Sequence, residues 1–443
     1  MTAPMLATAL EAALAAAEVP PHAAQRGGRI RAAEGLLLES DGPDAPVGAR
    51  LSAETPAGPV PCEVIGFRQG RILLMALADA AVAPGDKVWL EGPAADMAAG
   101  PSLLGRVTGA LGEALDGGGP IRAEGRWPLG GRPLPPLDRA DVQQPLPTGV
   151  RAIDALLTLG RGQRVGLIAG SGVGKSTLLL QLVHGAQADC VVVGLIGERG
   201  REIAAFLDAL PAPARARTHI VAVPADAAAP ARLRGCLSAF ASAEALRATG
   251  RHVLLLVDSL TRVAHAQREI GLAIGEPAGA RGYPPSALAL IPRLVERAGN
   301  DARSGGAITL LATVLADGDD TIADPVVDTA RGVLDGHVIL SRAIAARGRF
   351  PAIDLAQSLS RTMPACAGAA QLAAASAFRR DHALAEANQD LVAMGAYAPG
   401  HDPLLDRALA RRAEMELFLA QPEGGPQPFE RAVAALIDGW KPA

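Results

Sequence analysis

The nine residues AGSGVGKST, Ala169–Thr177, decide the fold of the central part of this 443-residue chain. They follow the apolar run RVGLI and open the helical run TLLLQLVHGA, so they join a buried strand to a helix. A glycine-rich loop in that position lets backbone N–H groups approach phosphate oxygens, and the helix N-terminus favours bound negative charge. The stretch therefore predicts a phosphate-binding loop within an α/β domain.

The residue types of this loop have separate expected roles. The glycines allow close approach of the backbone, Lys175 brings positive charge to the β- and γ-phosphates, and the Ser176 hydroxyl binds Mg²⁺. The first position holds Ala169 where the motif has glycine, which is a tolerated variant. The expected nucleotide-binding residues are Ala169, Gly170, Ser171, Gly172, Val173, Gly174, Lys175, Ser176 and Thr177.

A second apolar run, RHVLLLVDSLTR, ends in Asp258. A carboxylate at the end of a strand beside a phosphate loop can hold Mg²⁺ through its bound waters. The alternative is an aspartate that caps the following helix. Next to the phosphate loop, we interpret Asp258 as the second metal-supporting residue.

A third run, VVVGLIGERGRE at Val191–Glu202, turns from apolar to charged. Ligands of parallel sheets lie outside the carboxyl ends of the strands, so this run would deliver its charges to the nucleotide. Phosphoryl transfer needs a positioned carboxylate and cations, which makes Glu198 suited to polarise the attacking water and Arg199 to hold the γ-phosphate or orient Glu198. The alternative is a solvated loop with local ion pairs.

The pattern changes twice along the chain. Residues 29–92 contain short strands separated by Gly, Pro and Asp turns at intervals of roughly ten residues, which is typical of a small β-barrel or sandwich. From residue 150 apolar strands alternate with helices, which predicts a mostly parallel sheet with helices on both faces, and from residue 366 the chain reads as helical. We predict a multidomain chain with a partner-docking helix at 1–24 (or a frayed end), a β-barrel at 25–95, an α/β P-loop domain at 96–365 whose first part, 96–150, is an entry linker, and a C-terminal helical domain at 366–443.

Composition excludes several classes of protein. The chain has 42 Lys and Arg against 46 Asp and Glu, a net charge of −4, so no global basic field indicates nucleic acid or an anionic membrane. Its four cysteines are far apart, which predicts reduced thiols rather than a metal or redox site. The first residues lack a basic stretch, and no uncharged apolar run of about 18 residues occurs. We therefore expect neither a signal peptide nor a membrane span.

Taken together, these segments resemble the rotary ATPase catalytic subunits, and more closely the flagellar and type III secretion export ATPases. The resemblance covers residues 25 to 420 and includes the RecA-like core. It is carried by GRGQRVGLIAGSGVGKSTLL, VVVGLIGERGRE, LLLVDSLTRVAHAQREIGLAIGEPAGARGYPPS, RLVERAG and FPAIDLAQSLSR. The third of these blocks is much more specific than a phosphate loop, and ordinary ATP synthase catalytic subunits look different there.

The resemblance implies roles for individual residues. Glu198 matches the catalytic glutamate and Arg199 the arginine beside it, while Arg262 matches an arginine near the γ-phosphate. Phe350 stands where the family places an aromatic ring against adenine. Arg361 matches the arginine finger that completes a neighbouring subunit's site. Without the family, Phe350 would be interpreted as a core aromatic and Arg361 as a surface arginine.

One chain then carries both the phosphate loop and the finger, so a closed ring of identical subunits is the economical interpretation. The resemblance implies a hexamer that uses ATP and Mg²⁺, in the cytoplasm and peripheral at the inner membrane. It also implies four kinds of partner: a regulatory stator-like protein on the N-terminal helix, a coiled-coil stalk, the membrane export gate, and export substrates with their chaperones. The segment QDLVAMGAYAPGHDPLLDRAL corresponds to the stalk-contacting region, with Ala396 where the family often has an acidic residue.

The leading hypothesis is a Mg²⁺-dependent ATP hydrolase that energises or gates export of flagellar proteins, and the near alternative is an injectisome ATPase. An RNA-translocating hexamer would need a basic N-terminal domain with aromatic rings for bases. Residues 29–92 offer only Phe67 and Trp89 and no basic run. We expect His265 and His401 to be structural or surface histidines and Tyr283 to lie on a loop. The resemblance implies that this loop faces the centre of the ring.

Overall fold

The computed structural model describes residues 27–78, 80–92, 95–315, 324–421 and 425–441. The chain divides into two units, Met1–Ala95 and Asp96–Ala443. The docking helix expected at residues 1–24 lies outside the described residues.

The first unit is a closed β-barrel. Its strands are β1 (Gly27–Glu34), β2 (Leu37–Ser40), β3 (Arg50–Thr55), β4 (Gly58–Arg68), β5 (Arg71–Ala76) and β6 (Lys87–Gly92), and they pair in the order β1-β2-β5-β4-β3-β6. Apolar side chains fill its interior; Leu51, Val64 and Leu74 are completely buried. Closure leaves no open sheet edge, which is why such short strands form a stable layer. Of the two architectures expected from the turn spacing, the barrel is the one that forms.

The second unit is built on one twisted sheet. Its strands are β8 (Val107–Thr108), β10 (Arg139–Ala140), β11 (Arg164–Ala169), β12 (Cys190–Glu198), β13 (Thr218–Pro224), β14 (His252–Asp258), β15 (Gly299–Asp301), β16 (Ala307–Leu315), β17 (Gly336–Leu340) and β18 (Ile353–Ser360), while β7 (Asp96–Ala99) pairs with β9 (Gly125–Pro128). The main order is β18-β17-β11-β16-β14-β12-β13-β8, parallel from β17 to β8.

Burial explains why these strands could be recognised from the sequence. In β12, β14 and β16 nearly every side chain is buried, because helices cover both faces of the sheet. Such strands read as continuous apolar runs. The edge strand β18 was not predicted; it runs antiparallel to β17 and mixes buried with exposed side chains.

The second unit contains fifteen α-helices among the described residues. They are α1 (Arg151–Leu156), α2 (Lys175–Gly185), α3 (Gly200–Ala209), α4 (Ala212–Ala216), α5 (Ala229–Arg247), α6 (Leu260–Ala273), α7 (Pro285–Val295), α8 (Pro325–Val333), α9 (Arg342–Ala346), α10 (Met363–Cys366), α11 (Ala369–Ala387), α12 (Gln389–Ala393), α13 (Pro403–Ala410), α14 (Arg412–Leu419) and α15 (Phe429–Gly439). The β-barrel, the α/β sheet and the C-terminal helices confirm the predicted fold class.

An aromatic cluster holds the C-terminal helices together. Phe378 on α11 lies 5.3 Å from Phe418 on α14 and 4.6 Å from Trp440, measured between ring centroids. Tilted rings at these distances add to the stabilisation from burial. The helical stretch 369–393 is interrupted at Asn388, between α11 and α12.

Two smaller findings concern the cysteines and the helices. Cys62, Cys190 and Cys236 are buried and Cys366 is half-buried, and all four are free thiols. Across the described ranges, the helices are too short or too polar to cross a lipid bilayer.

Candidate functional site

The phosphate loop lies at the carboxyl edge of the sheet, between β11 and α2. Gly172 and Gly174 adopt left-handed backbone angles, with φ of 76° and 85°. A Cβ atom on Gly174 would also lie 3.2 Å from Cδ1 of Phe350. The buried side chain of Val173 anchors the loop from below. Glycine at position 174 is therefore needed both for its φ and for the close approach of the Phe350 ring.

Lys175, the first residue of α2, meets two carboxylates from neighbouring strands. Its Nζ lies 2.6 Å from Asp258 Oδ1 and 3.5 Å from Glu198 Oε1. The Thr313 hydroxyl also donates to Asp258 Oδ1, at 2.6 Å. Parallel pairing of β12 with β14 brings the two strand ends side by side, as Leu195 faces Asp258 in the register. The structure thus gathers Lys175, Glu198 and Asp258 as the sequence predicted.

Asp258 does not cap the helix that follows it. Ser259 is the N-cap of α6, and its hydroxyl accepts from the backbone N–H of Arg262 at 3.3 Å. The alternative interpretation of Asp258 as a helix cap is therefore wrong. Its carboxylate is directed instead to the cation of Lys175.

Glu198 is a carboxyl group in a largely apolar setting. Burial, with the Asp258 charge adding to it and Lys175 opposing it, raises the pKa of Glu198 to about 7. A cavity of about 290 Å³ opens beside it, between α2 and α3, lined by Leu179, Ile203 and Phe206 among others. The apolar lining explains why the ionised form is disfavoured. Near neutral pH this carboxyl can both accept and release a proton.

The side chain of Arg199 points away from the carboxyl group of Glu198. It is 70% exposed, and its guanidinium lies 3.9 Å from Glu202. Arg201 is exposed as well and lies 4.0 Å from the same carboxylate. These contacts match the alternative of a solvated loop with local ion pairs, which contribute little to stability. A catalytic role for Arg199 stays a prediction.

Arg262 lies closer to the site. It is half-buried on the first turn of α6, and its Nε is buried without a hydrogen-bond partner among the described residues. Gly197, at φ 75°, makes room for it, because a Cβ there would lie 2.9 Å from Arg262 Cβ. A buried donor without an acceptor is costly. A bound anion would supply the missing acceptor.

A second cavity adjoins the phosphate loop. It measures about 570 Å³, and its wall includes Gly174, Phe350, Pro351, Ala420 and Gln421. Phe350 is 45% exposed, so the interpretation of this ring as an ordinary core aromatic is wrong. A mostly apolar cavity with one exposed ring beside a phosphate loop fits a nucleotide base.

Two residues beside the base cavity or the phosphate loop were missed. Gln421 lies more than 240 residues beyond the loop in sequence, and no local pattern marks it. Arg342 follows β17, whose Leu340 pairs with Ala169 of β11. Its guanidinium Nε lies 3.1 Å from the point that a Cβ on Gly170 would occupy. Strand order, which no short motif encodes, brings Arg342 to the loop.

Arg361 is exposed and lies away from this group of residues. It follows β18, and its backbone N–H donates to Asp335 O at 2.9 Å. Because β18 is antiparallel to β17, Arg361 is at the amino edge of the parallel strands and Phe350 at the carboxyl edge. Arg361 and Phe350 therefore lie at opposite edges of the sheet.

The donor set fits ATP with Mg²⁺. The described residues contain no group of three or more His, Cys, Asp or Glu side chains that could hold a metal ion. Mg²⁺ needs few protein ligands when phosphates and waters supply the rest. Ser176 and Asp258 are among the oxygen-bearing side chains that line the cavity beside the loop.

His265, His401 and Tyr283 do not line the two cavities beside the phosphate loop. The His265 ring stacks on Tyr283 at 5.9 Å, and Arg268 lies 5.1 Å from the centroid of the same tyrosine. Tyr283 lies on the loop before α7, as expected, and its side chain is buried, at 4% exposed. His401 is exposed on the turn before α13.

Two family models match the chain. The nucleotide-binding domain of the ATP synthase alpha/beta family matches residues 149–360, and the C-terminal domain of the T3SS EscN ATPase matches residues 367–438.

Similar proteins cover most of the chain. The flagellum-specific ATP synthase of Salmonella typhimurium is 46% identical over 90% of this chain and 90% of its own. The protein of that description from Pseudomonas aeruginosa is 47% identical over 89% of this chain and 88% of its own. The type 3 secretion system ATPase of Sinorhizobium fredii is 44% identical over 93% of this chain and 91% of its own.

A solved structure is similar throughout. The assembled ATPase EscN of the enteropathogenic E. coli type III secretion system has a TM-score of 0.88 at 36% identity, covering 93% of this chain and 99% of that chain. The structure of EscN in complex with its central stalk EscO has a TM-score of 0.85 at 35% identity, with the same coverage.

Proposed function

This chain belongs to the family of flagellum-specific and type III secretion ATPases and is an ATPase, and from that premise we propose how it works and what it serves. The resemblance stated from the sequence is confirmed. We propose that identical subunits form a ring, hydrolyse ATP with Mg²⁺, and energise or gate export of flagellar proteins through a type III apparatus.

The observation that carries the chemistry is the contact of Lys175 with Asp258 and Glu198. The backbone N–H groups of residues 170–174 bind the phosphates, whose charge competes with Asp258 for Lys175. Ser176 and Asp258 would hold Mg²⁺, which when bound neutralises charge on the β- and γ-phosphates. Arg262 supplies its unpaired Nε–H to the γ-phosphate, and Arg199 turns inward from the surface.

Glu198 orients the attacking water. The water oxygen bonds to the γ-phosphorus as the bond from that phosphorus to the β–γ bridging oxygen breaks. The water proton passes to Glu198 and then to the product phosphate. A carboxyl group with a pKa near neutrality suits this exchange.

Arg361 completes the site of the next subunit. Its position at the amino edge of the sheet keeps it from its own phosphate loop, so it can act only across an interface between subunits. There its guanidinium stabilises charge that develops on the γ-phosphate. We propose six subunits, as the resemblance to the export ATPases implies; the EscN structure is that of an assembled ATPase.

The partners follow from the family. A structure of EscN contains a central stalk, and this chain exposes Leu391 and Met394 in the corresponding segment. We propose a coiled-coil stalk protein there, a regulatory stator-like protein on residues 1–24, and contact with the export gate, substrates and chaperones. Such a chain works peripherally at the cytoplasmic face of the inner membrane. Ala396, where the family often has an acidic residue, removes a negative charge from the stalk contact.

An injectisome ATPase is the second candidate, favoured by the likeness to the Sinorhizobium fredii protein and to EscN. The two roles separate in cells. Expression in a flagellar ATPase mutant of a normally motile bacterium should restore swimming. Expression in an injectisome ATPase mutant should not restore secretion. The reverse pattern would assign the chain to the injectisome.

The RNA-translocating alternative has little support in the barrel. Phe67 is exposed, but Trp89 is half-buried against Gly27, so the described residues of the barrel present no pair of exposed aromatic rings. Stacking of successive bases needs such rings. RNA should therefore leave the ATPase rate unchanged.

The ring itself is tested in solution. We expect ATPase activity per subunit to rise with protein concentration, because a monomer lacks the finger of its neighbour. Specific activity that stays constant down to the dilute monomer would exclude a shared site.

A further inference from the structure

Gln421 joins three segments at the wall of the base cavity. Its side chain is buried, and its Nε2 donates to Gly149 O at 2.8 Å while its Oε1 accepts from the N–H of Arg151 at 2.8 Å. Its own backbone N–H donates to Phe350 O, also at 2.8 Å. One residue thus links the start of α1, the end of α14 and the strand-to-strand segment that carries Phe350.

The side chains of Gln421 and Arg151 cap each other's helices. Helix α1 begins at Arg151 without a side-chain cap from its own N-cap residue, Val150. Gln421 Oε1 supplies the acceptor that the first N–H of α1 would otherwise lack. In return, the Arg151 guanidinium donates to Leu417 O at 3.0 Å and to Ala420 O, at the C-terminus of α14. This exchange fixes the end of α14 on the start of α1.

The position of Phe350 depends on this link. Phe350 is 45% exposed, so packing holds its ring less firmly than it would hold a buried ring. Its carbonyl group is held by Gln421, and Gln421 is held by Gly149 and Arg151. The facing wall of the cavity consists of residues of the phosphate loop and α2, including Gly174. Gln421 therefore sets the width of the cavity.

We propose that Gln421 is a positioning residue for the nucleotide base, which holds Phe350 at the correct distance from the phosphate loop. This inference rests on the proposed function of the Phe350 cavity as the base site. Both side-chain polar atoms of Gln421 are already used within the protein. It therefore acts through Phe350 rather than by contact with the base.

The test compares a ligand that has a base with one that has none. Gln421→Met keeps the side-chain volume and removes the side-chain hydrogen bonds to Arg151, Gly149 and Gly425. We expect it to weaken ADP binding about five- to tenfold, because the segment that carries Phe350 is no longer fixed and must be ordered when the base binds. Inorganic tripolyphosphate binds only the loop, and its affinity should stay within about twofold. KM for ATP should rise by the same factor as the dissociation constant of ADP, with kcat nearly unchanged.

Gln421→Glu provides a second variant. The carboxylate still accepts from Arg151, but its second oxygen replaces the donor to Gly149 O and repels that carbonyl, so ADP affinity should again fall while tripolyphosphate affinity stays within about twofold of wild type. It also carries the test should the methionine variant fail to fold.

Gln371→Met is the matched control. Gln371 is equally buried and also joins a C-terminal helix to α1, since its Nε2 donates to Asp154 O at 3.1 Å and to Thr158 Oγ1 at 2.8 Å. It does not line the base cavity. A merely structural role would lower the midpoint of thermal unfolding in both variants and leave the ratio of ADP to tripolyphosphate affinity unchanged in both.

Three outcomes would overturn the proposal. Gln421→Met could lower the affinities for ADP and tripolyphosphate equally, or leave both affinities unchanged. Gln371→Met could also change the ratio of the two affinities as much as Gln421→Met does. Phe350→Ala separates these from a failure of the base site itself. If Phe350→Ala leaves the affinity ratio unchanged, the cavity does not bind the base; if it changes the ratio and Gln421→Met does not, only the role of Gln421 fails.

Discussion

Lys175 and Arg361 lie at opposite edges of one sheet. Strand β17 connects the two edges: its Leu340 pairs with Ala169, just before the phosphate loop, and its Gly336 pairs with Ser360, just before Arg361. The residues from Gly336 to Leu340 span roughly 13 Å of strand. An arginine at one edge cannot reach its own nucleotide at the other, so a catalytic Arg361 must act on a neighbouring subunit.

The first prediction concerns mixed rings. Glu198→Gln and Arg361→Ala should each lose at least about 100-fold in ATPase rate, because each removes one half of a shared site. An equal mixture should recover roughly a quarter of the sites, those in which an intact Glu198 meets an intact neighbouring finger. The measurement is the steady-state ATPase rate of the mixture after exchange of subunits.

Arg303→Ala is the control for this experiment, since Arg303 is also exposed and also follows a strand at the amino edge. It should retain wild-type activity. A mixture with no more activity than the two mutants would mean that Arg361 does not act across the interface.

The second prediction uses the titration of Glu198. Its pKa is raised from 4.5 to about 7 in the folded protein, so between these values the folded state holds a proton that the unfolded state releases. Stability should therefore fall as pH rises through this window, by up to about 3 kcal/mol. Glu198→Gln lacks this titration. Urea unfolding without nucleotide should show the wild type losing stability relative to Glu198→Gln from pH 4.5 to about 7; parallel pH profiles would contradict it.

The third prediction concerns Gly174. Alanine there must adopt a left-handed backbone, at a cost of about 1 kcal/mol, and its Cβ would press on Phe350. We expect ATP affinity to fall about tenfold, measured by displacement of a fluorescent nucleotide. Gly282→Ala has a similar φ of 77° and open space at its Cβ, so it should leave affinity unchanged. Equal effects of the two substitutions would point to general backbone strain.

The fourth prediction concerns Mg²⁺. Ser176→Ala should raise the Mg²⁺ concentration for half-maximal ATPase activity about tenfold, because one of the few protein oxygens for the ion is lost. Ser341→Ala removes a hydroxyl at the same sheet edge, just before Arg342, and should leave the Mg²⁺ requirement at the wild-type value. An unchanged Mg²⁺ requirement in Ser176→Ala would remove this residue from the metal site.

Much of the site could be predicted because its signals are local. The strand–loop–helix pattern around Lys175 and the carboxylates that end two apolar runs identified three residues that the structure brings together. Asp258 required the structure, since a metal-supporting role and a helix cap have the same local sequence. Arg199 shows the reverse case, because charges close in sequence can point to solvent in the fold.

The sequence by itself determined the buried parallel strands and the phosphate loop, since periodicity and turn residues act over a few positions. Only the tertiary structure decided where Arg361 and Phe350 lie, because the direction of β18 depends on its pairing with β17. It alone placed Gln421 against Phe350 and Arg342 beside Gly170. These contacts join residues distant in sequence, and hydrogen-bond partners at such separations are set by strand order and helix packing.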